Sequence, residues 1–337
     1  MRSWWSRINH ADGGDRFVDL ATTVGSVSLP HPVLTASGTA GYGTELASYF
    51  DLSSIGAVVV KSLSADAWDG NPAPRLHPVE AGMLNSVGLQ NPGVDAWLEH
   101  QLPPLLATGA RVVASIWGLT LSAYERAARL LADAPAAVLA VEVNLSCPNL
   151  EGGRHVFAHS QTATAEVIEA TAVCGRPRWA KLSGDVPSVV EIAGAALAAG
   201  AETLTLVNTV RGLAIDPETR RPRLGAGSGG LSGEAIRPVA VRAVHECRQA
   251  FPDAGIVGVG GVSEGVHAVE LLVAGADAVE VGTATFADPR AAMRVGDEVV
   301  AWCRSHDVAR VVDLVGTVRA AGSPARTDTE RRLHGGA

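Results

Sequence analysis

Short apolar runs recur along the chain, and most are almost continuously apolar rather than alternating with polar residues. Eight stand out: VLTASG (33–38), AVVVKS (57–62), RVVASIWG (111–118), AVEVNLSC (140–147), RWAKLS (178–183), TLTLVN (203–208), GIVGVGG (255–261) and AVEVGTAT (278–285). Valine-rich runs of this length read as strands, and apolar character on both faces means that both faces are covered. Between them, Ser122–Asp133, Pro187–Ala199, Gly233–Ala250 and Glu264–Ala274 repeat Ala, Leu, Val and Glu at helical spacing. Eight strands alternating with helices predict an α/β chain folded as a single-domain (β/α)8 TIM barrel over residues 17–318. The competing arrangement is an open doubly wound sheet. No GxGxxG follows the first run to mark its dinucleotide-binding form. Residues 1–16 read as an N-terminal extension, and 319–337 as a polar, disordered C-terminal tail.

Nearly every run ends in glycine or a polar residue: Ser37-Gly38, Lys61-Ser62, Ser115, Asn144 with Cys147, Lys181, Asn208-Thr209, Gly260-Gly261 and Gly282-Thr283. In a barrel these ends open on one face, where such folds build their active sites. Turn chemistry alone accounts for the glycines and serines. It accounts less well for two lysines and two asparagines, because polar groups are costly to bury without a partner.

Composition narrows the classes. The chain has 337 residues, 47% of them hydrophobic, which supports a large core. A net charge of −8 argues against a duplex or tRNA binder and excludes a simple polybasic membrane anchor. The N-terminus carries no long apolar run, so neither a signal peptide nor a spanning helix is expected. The four cysteines, Cys147, Cys174, Cys247 and Cys303, are far apart in sequence. Their spacing offers no metal or iron–sulfur site and no disulfide framework, which fits a reducing cytoplasm. Cys174, Cys247 and Cys303 fall in helical patterns and read as small buried hydrophobes. Cys147, past a strand end, stands open between that role and a reactive thiol.

Three further features carry chemistry. Gly258-Val259-Gly260-Gly261 and Gly282-Thr283 end runs seven and eight, where barrels often bind phosphate, and Gly229-Gly230-Leu231-Ser232-Gly233, read as opening a helix, could add backbone donors. Lysine is scarce, yet Lys61 and Lys181 both end strands, where a buried ammonium needs an anion such as a reduced flavin or a carboxylate substrate. Period-two alternation puts Glu142, Asn144 and Ser146 on the barrel interior and Val141, Val143 and Leu145 toward the helices. Glu142 then needs a cation, and Lys181 on the next strand is the candidate.

These stretches carry a resemblance. TASGTAGYG (35–43), VVVKS (58–62), GMLNSVGLQNPGVD (82–95), NLSCPN (144–149) with glycines at 152–153, AKLS (180–183), VNTVRGLAID (207–216), GGLSG (229–233), IRPVA (236–240), GVGGV (258–262) and VGTATF (281–286) follow in order. Together they resemble the catalytic subunit of class 1 dihydroorotate dehydrogenase, most of all its NAD-linked class 1B branch, over roughly residues 17–318. LNSVGLQNPG and NLSCPN are the specific pieces.

The resemblance implies FMN across the barrel mouth, with phosphate on Gly260, Gly261, Gly282 and Thr283 and with Gly233 nearby. It implies that Ser37, Lys61, Ser62, Asn144, Lys181 and Val207 hold the ring and ribityl chain. Dihydroorotate would be bound by Lys61 and the loop Asn85, Ser86, Val87, Gly88 and Leu89, and by Asn144, Asn149, Asn208 and Thr209. Cys147 would be the base at C5 while hydride leaves C6 for flavin N5, on a loop from Cys147 to about Gln161 that closes over substrate.

Three departures accompany it. Ser115 stands where this branch often has asparagine, Ser62-Leu63-Ser64 replaces a glycine–threonine run, and Glu234 stands where proline is common. The class 1B resemblance also implies a separate electron-transfer subunit with FAD and a [2Fe–2S] cluster, in a homodimer or heterotetramer. Alternatives are fumarate-linked oxidation, or a related FMN barrel acting on another pyrimidine, of the dihydropyrimidine dehydrogenase type. A tRNA dihydrouridine synthase is disfavoured by the acidic balance.

Overall fold

The structure, a computed structural model, describes residues 17–146 and 157–319. The expected N-terminal extension, Cys147, Asn149, Gly152-Gly153 and, after Arg319, the expected tail lie outside the described residues.

Eight parallel strands form one sheet: β1 (Val33–Thr35), β2 (Val58–Val59), β3 (Val112–Ile116), β4 (Val138–Asn144), β5 (Arg178–Ser183), β6 (Thr203–Asn208), β7 (Gly255–Val259) and β8 (Ala278–Val281). Their order is β1-β8-β7-β6-β5-β4-β3-β2. The two end strands meet and close the barrel. Gly56 N donates to Val33 O at 2.7 Å and Thr35 N to Ala57 O at 3.2 Å. The buried Thr35 hydroxyl continues the seam, accepting from Val59 N at 3.0 Å and donating to Val59 O at 3.5 Å. The predicted (β/α)8 barrel is therefore the fold, and the open sheet is not.

The helices include α1 (Val94–Ala96) and α2 (Leu102–Ala107), joined by a π turn at Trp97–Gln101, and α3 (Leu121–Leu130). They continue with α4 (Gln161–Ala170), α5 (Val189–Ala198), α6 (Arg237–Ala250), α7 (Gly265–Ala274) and α8 (Ala291–Ser305). Local chemistry sets their starts. Thr120, Ser160 and Ser188 cap α3, α4 and α5 by accepting the N–H three residues on. One correction follows at α6. Its expected start at Gly233 gives way to a 3-10 turn, Glu234–Ile236, and the α-helix begins at Arg237 beside Pro238.

Strand alternation sorts the core into two clusters. Val141, Val143, Ala180, Leu182, Leu204 and Leu206 pack outward with the helices. Leu34, Ala57, Val59, Val113, Ala140, Trp179, Val257 and Ala278 fill the interior, closed from below by the hairpin Thr22–Val24/Val27–Leu29. Ala140, Glu142 and Asn144 thus share the inner face, as the period-two reading required.

A second sheet stands over the mouth. Its antiparallel order is Val210–Gly212, Gly229–Ser232, Gly82–Asn85, Leu76–Val79. This corrects the reading of Gly229–Gly233 as the opening of a helix. Residues 229–232 form a strand paired on both sides, so much of its backbone polarity is spent on the ladder, and Gly233 alone lies beyond it.

Candidate active site

A cavity of about 860 Å³ opens at the carboxyl ends of the barrel strands, the size and place expected for a ligand site in this fold. Every expected site residue that is described lines it: Ser37, Lys61, Ser62, the segment 85–89, Asn144, Lys181, Val207, Asn208, Thr209, Gly233, Gly260, Gly261, Gly282 and Thr283. Residues spread over some 250 positions of sequence converge there because eight parallel strands end on one side.

The floor is ionic. Lys181 Nζ lies 3.3 Å from Glu142 Oε1, the pairing expected from sequence, and 3.2 Å from Glu280 Oε2. Both carboxylates are fully buried and Lys181 nearly so. Burial alone would lower the Lys181 ammonium, but the two carboxylates outweigh it and hold it above the ordinary lysine value. Burial likewise pushes the Glu280 carboxyl up to about 8, with Lys181 opposing and Glu142 reinforcing the shift.

Amides form one wall. Asn208 Nδ2 donates to Asn144 Oδ1 at 3.0 Å, and Asn208 Oδ1 accepts from Thr209 N at 2.7 Å. Tyr124 OH donates to Asn144 O at 2.6 Å, fixing the strand end from behind. Asn85 Nδ2 donates to Gly230 O at 3.2 Å across the second sheet. The loop after it bends through Gly88 and Leu89, both left-handed at φ 72° and 61°, a conformation that costs leucine about 1 kcal/mol or more.

Lys61 sits opposite. Its Nζ donates to Tyr42 OH at 3.0 Å and to Gln90 O, and lies 5.1 Å from the Tyr42 ring centre. Burial, with the nearby Arg75, brings its ammonium down to about 8. Among the described residues no carboxylate pairs with it, so an anionic ligand would meet an uncompensated charge.

The far rim is glycine. Gly260 and Gly261 turn through φ 134° and 75°, and a Cβ on Gly261 would lie 2.6 Å from Arg237 Cβ. Thr283 opens a 3-10 turn, Thr283–Phe286, whose first N–H groups lack intrahelical partners. Its hydroxyl donates to Ser232 Oγ at 2.8 Å.

Sequence reasoning missed Glu280. The signal was present, because AVEV occurs at 140–143 and again at 278–281, putting a glutamate at the same place in β4 and β8. Asn71 was missed too; its Nδ2 holds Ser86 O at 3.3 Å and Ser86 Oγ at 3.2 Å. Two of the sequence departures touch: Ser62 and Ser115 hydroxyls are 2.9 Å apart, and Ser115 Oγ donates to Glu142 Oε1 at 3.0 Å. The third, Glu234, accepts from Ser263 Oγ at 2.6 Å. Cys174, Cys247 and Cys303 are buried, as expected, and burial raises each thiol, Cys247 to about 12. Among the described residues no acidic, histidine or cysteine cluster could hold a metal, and no helix is long and apolar enough to cross a membrane.

Comparison with known proteins agrees with this geometry. The sequence profile of the family described as Dihydroorotate dehydrogenase matches residues 19–302. A protein of Solibacter usitatus (strain Ellin6076), provisionally named dihydroorotate dehydrogenase A (fumarate), is 45% identical over 89% of this chain and 98% of its own length. Dihydroorotate dehydrogenase B (NAD(+)), catalytic subunit, of Geobacter sp. (strain M21) is 44% identical over the same shares. Its counterpart in Geotalea uraniireducens (strain Rf4) is 43% identical, again over 89% and 98%. With a family profile over most of its length and relatives matched nearly end to end, the chain belongs to the dihydroorotate dehydrogenase family.

Proposed function

We propose that the chain is an FMN-dependent oxidoreductase that converts (S)-dihydroorotate to orotate in pyrimidine biosynthesis. The observation that carries this reading is the pairing, in one cavity, of a buried ammonium at Lys181 with the amide wall Asn144–Asn208. A flavin that becomes anionic on reduction and a cyclic imide substrate ask for these two features.

The residues fit FMN. The glycine turn at Gly260-Gly261, the 3-10 turn at Thr283 and Gly282 suit a phosphate, with Gly233 beside them. Ser37, Ser62 and Val207 border the space between that rim and Lys181. Bound there, the flavin supplies a hydride acceptor, and the protein supplies everything else. Lys181 favours negative charge developing at the ring edge, and its two carboxylate partners fix where the ammonium points.

Substrate contacts follow from chemistry. Asparagine offers a donor and an acceptor, so Asn144, Asn208 and Asn85 match the alternating N–H and C=O of a dihydropyrimidine. Asn149 and Thr209 extend that set. Among the described residues Lys61 has no anionic partner, and it takes the substrate carboxylate, with the backbone of 85–89 closing round it. Cys147 is the general base at C5; a thiol needs only modest lowering to accept a proton near neutral pH. A screen tests the substrate class: orotate should perturb the bound flavin spectrum and uracil should not. The reverse would favour the dihydropyrimidine dehydrogenase reading.

For reoxidation, a separate subunit carrying FAD and a [2Fe–2S] cluster is the proposed partner. The words "catalytic subunit" in the names of the Geobacter and Geotalea relatives support a separate partner subunit. The Solibacter relative's name supports fumarate instead. Purified chain alone, given dihydroorotate and NAD, should form NADH slowly or not at all. Brisk formation would remove the need for a partner.

A further inference from the structure

The ion cluster beneath the pocket contains one cation and two carboxylates, sealed from water. Fully ionised, it would leave one uncompensated negative charge in the barrel, a state that buried groups avoid by keeping a proton. The carboxylates are not equivalent. Glu142 accepts from Ser115 Oγ at 3.0 Å and from Lys181 at 3.3 and 3.5 Å, through both oxygens. Glu280 accepts from Lys181 at 3.2 Å through Oε2, while its buried Oε1 has no hydrogen-bond partner. Both carboxyl groups crowd the one Lys181 ammonium, and two carboxylates held this close in a buried site repel unless one of them carries a proton.

A path leads from this cluster to the cavity. Ser115 Oγ is 2.9 Å from Ser62 Oγ, which is 3.2 Å from Ser37 Oγ. Ser62 and Ser37 line the cavity, whereas Ser115 is fully buried behind them. Three hydroxyls, each able to accept one proton and pass on its own, join the pocket wall to Glu142.

We propose that Glu142 and Glu280 hold one proton between them beside Lys181, and that the hydroxyls of Ser37, Ser62 and Ser115 exchange it with the pocket. The cluster is then neutral: an ammonium, a carboxylate and a carboxylic acid. Only O–H bonds form and break along the path, and no electrons move. When charge changes in the pocket, the store can give or take a proton without opening the barrel. Burial, which raises the Glu280 carboxyl, acts in the same direction. The titratable groups facing Glu280 are Lys181 from β5 and Glu142 from β4. The other strands place no charge beside it: β6 contributes Thr205, whose buried hydroxyl has no partner, β7 and β1 contribute Val259 and Leu34, which pair with Glu280 in register, and β2 and β3 contribute Val59 and Ser115 to the interior. The store stands on the chain's own geometry and does not depend on which substrate the pocket takes.

Infrared spectroscopy of the purified, cofactor-bound protein tests it, with difference spectra against each variant cancelling the cofactor's carbonyl bands. At neutral pH a carboxylic-acid C=O band should be present and should be lost in both Glu142→Gln and Glu280→Gln, since either leaves one carboxylate for one ammonium. No such band, or a band that survives either substitution, would overturn the shared proton. On transfer to D2O the band should shift quickly in the natural protein. In Ser115→Ala it should shift at least roughly tenfold more slowly, leaving local opening as the remaining route. Exchange as fast as in the natural protein, in Ser115→Ala or in Ser62→Ala should the first not fold, would overturn the relay.

Discussion

Replacing Lys181 by methionine should expose how much the buried cluster depends on its single cation. Methionine keeps most of the length of the side chain but leaves Glu142 and Glu280 without the ammonium now 3.3 and 3.2 Å away. Removing one partner of a buried ion pair typically costs about 3–5 kcal/mol, a large share of the roughly 5–15 kcal/mol that holds a domain folded. The sign with pH follows. A carboxylate deprived of its cation has a folded-state pKa raised above the unfolded one, so the folded protein binds more protons, and stability falls as pH rises. Lys181→Met should therefore be nearly as stable as the natural protein near pH 5 and lose ground by up to about 1.4 kcal/mol per pH unit above it. The double variant Lys181→Met/Glu142→Gln should recover much of the loss, because the remaining glutamate can stay neutral. Urea unfolding followed by tryptophan fluorescence, with Trp179 packed in the interior below the cluster, reads all three proteins. A Lys181→Met protein within about 1 kcal/mol of the natural one at pH 8, with no pH slope, would refute the reasoning.

Three other outcomes follow from single contacts. Thr35→Val removes the hydroxyl that bridges Val59 N and O at the barrel seam and should cost about 1–3 kcal/mol in urea unfolding; no change would mean the seam closes without it. Gly261→Ala puts a Cβ 2.6 Å from Arg237 Cβ at φ 75°, a strain of about 1–2 kcal/mol at the cradle, so the protein should lose FMN on gel filtration while remaining folded. Lys61 should titrate near 8, so kcat/KM for dihydroorotate should fall above that pH as the cation proposed to meet its carboxylate is lost. The chain has just two lysines, Lys61 and Lys181. Reductive 13C-methylation and NMR titration can therefore follow Lys61 directly, and a value near 10.5 would contradict the burial argument.

The barrel was legible because its strands are apolar on both faces, and the pocket because parallel strands must end together. Asn144, Lys181 and Asn208 were found by that rule alone. Glu142–Lys181 was legible because β4 and β5 are neighbours in the sheet. Glu280 was not, although it repeats the AVEV of β4. β8 is separated from β5 by β6 and β7, so the contact exists only across the closed lumen, which no run of residues encodes. The second sheet escaped for a different reason. GMLN and GGLS are short and rich in glycine, and paired over a cavity they need no apolar alternation. The serine path was hidden in two residues read as departures, Ser62 and Ser115, whose meaning is their contact with each other.

The central claim is that this pocket passes hydride from dihydroorotate to a bound flavin. It is tested most directly by adding one equivalent of dihydroorotate anaerobically to the purified yellow protein and recording its visible absorbance. The account predicts that the flavin band bleaches and that orotate appears in equal amount. A band that stays unchanged while the flavin remains reducible by dithionite would contradict it.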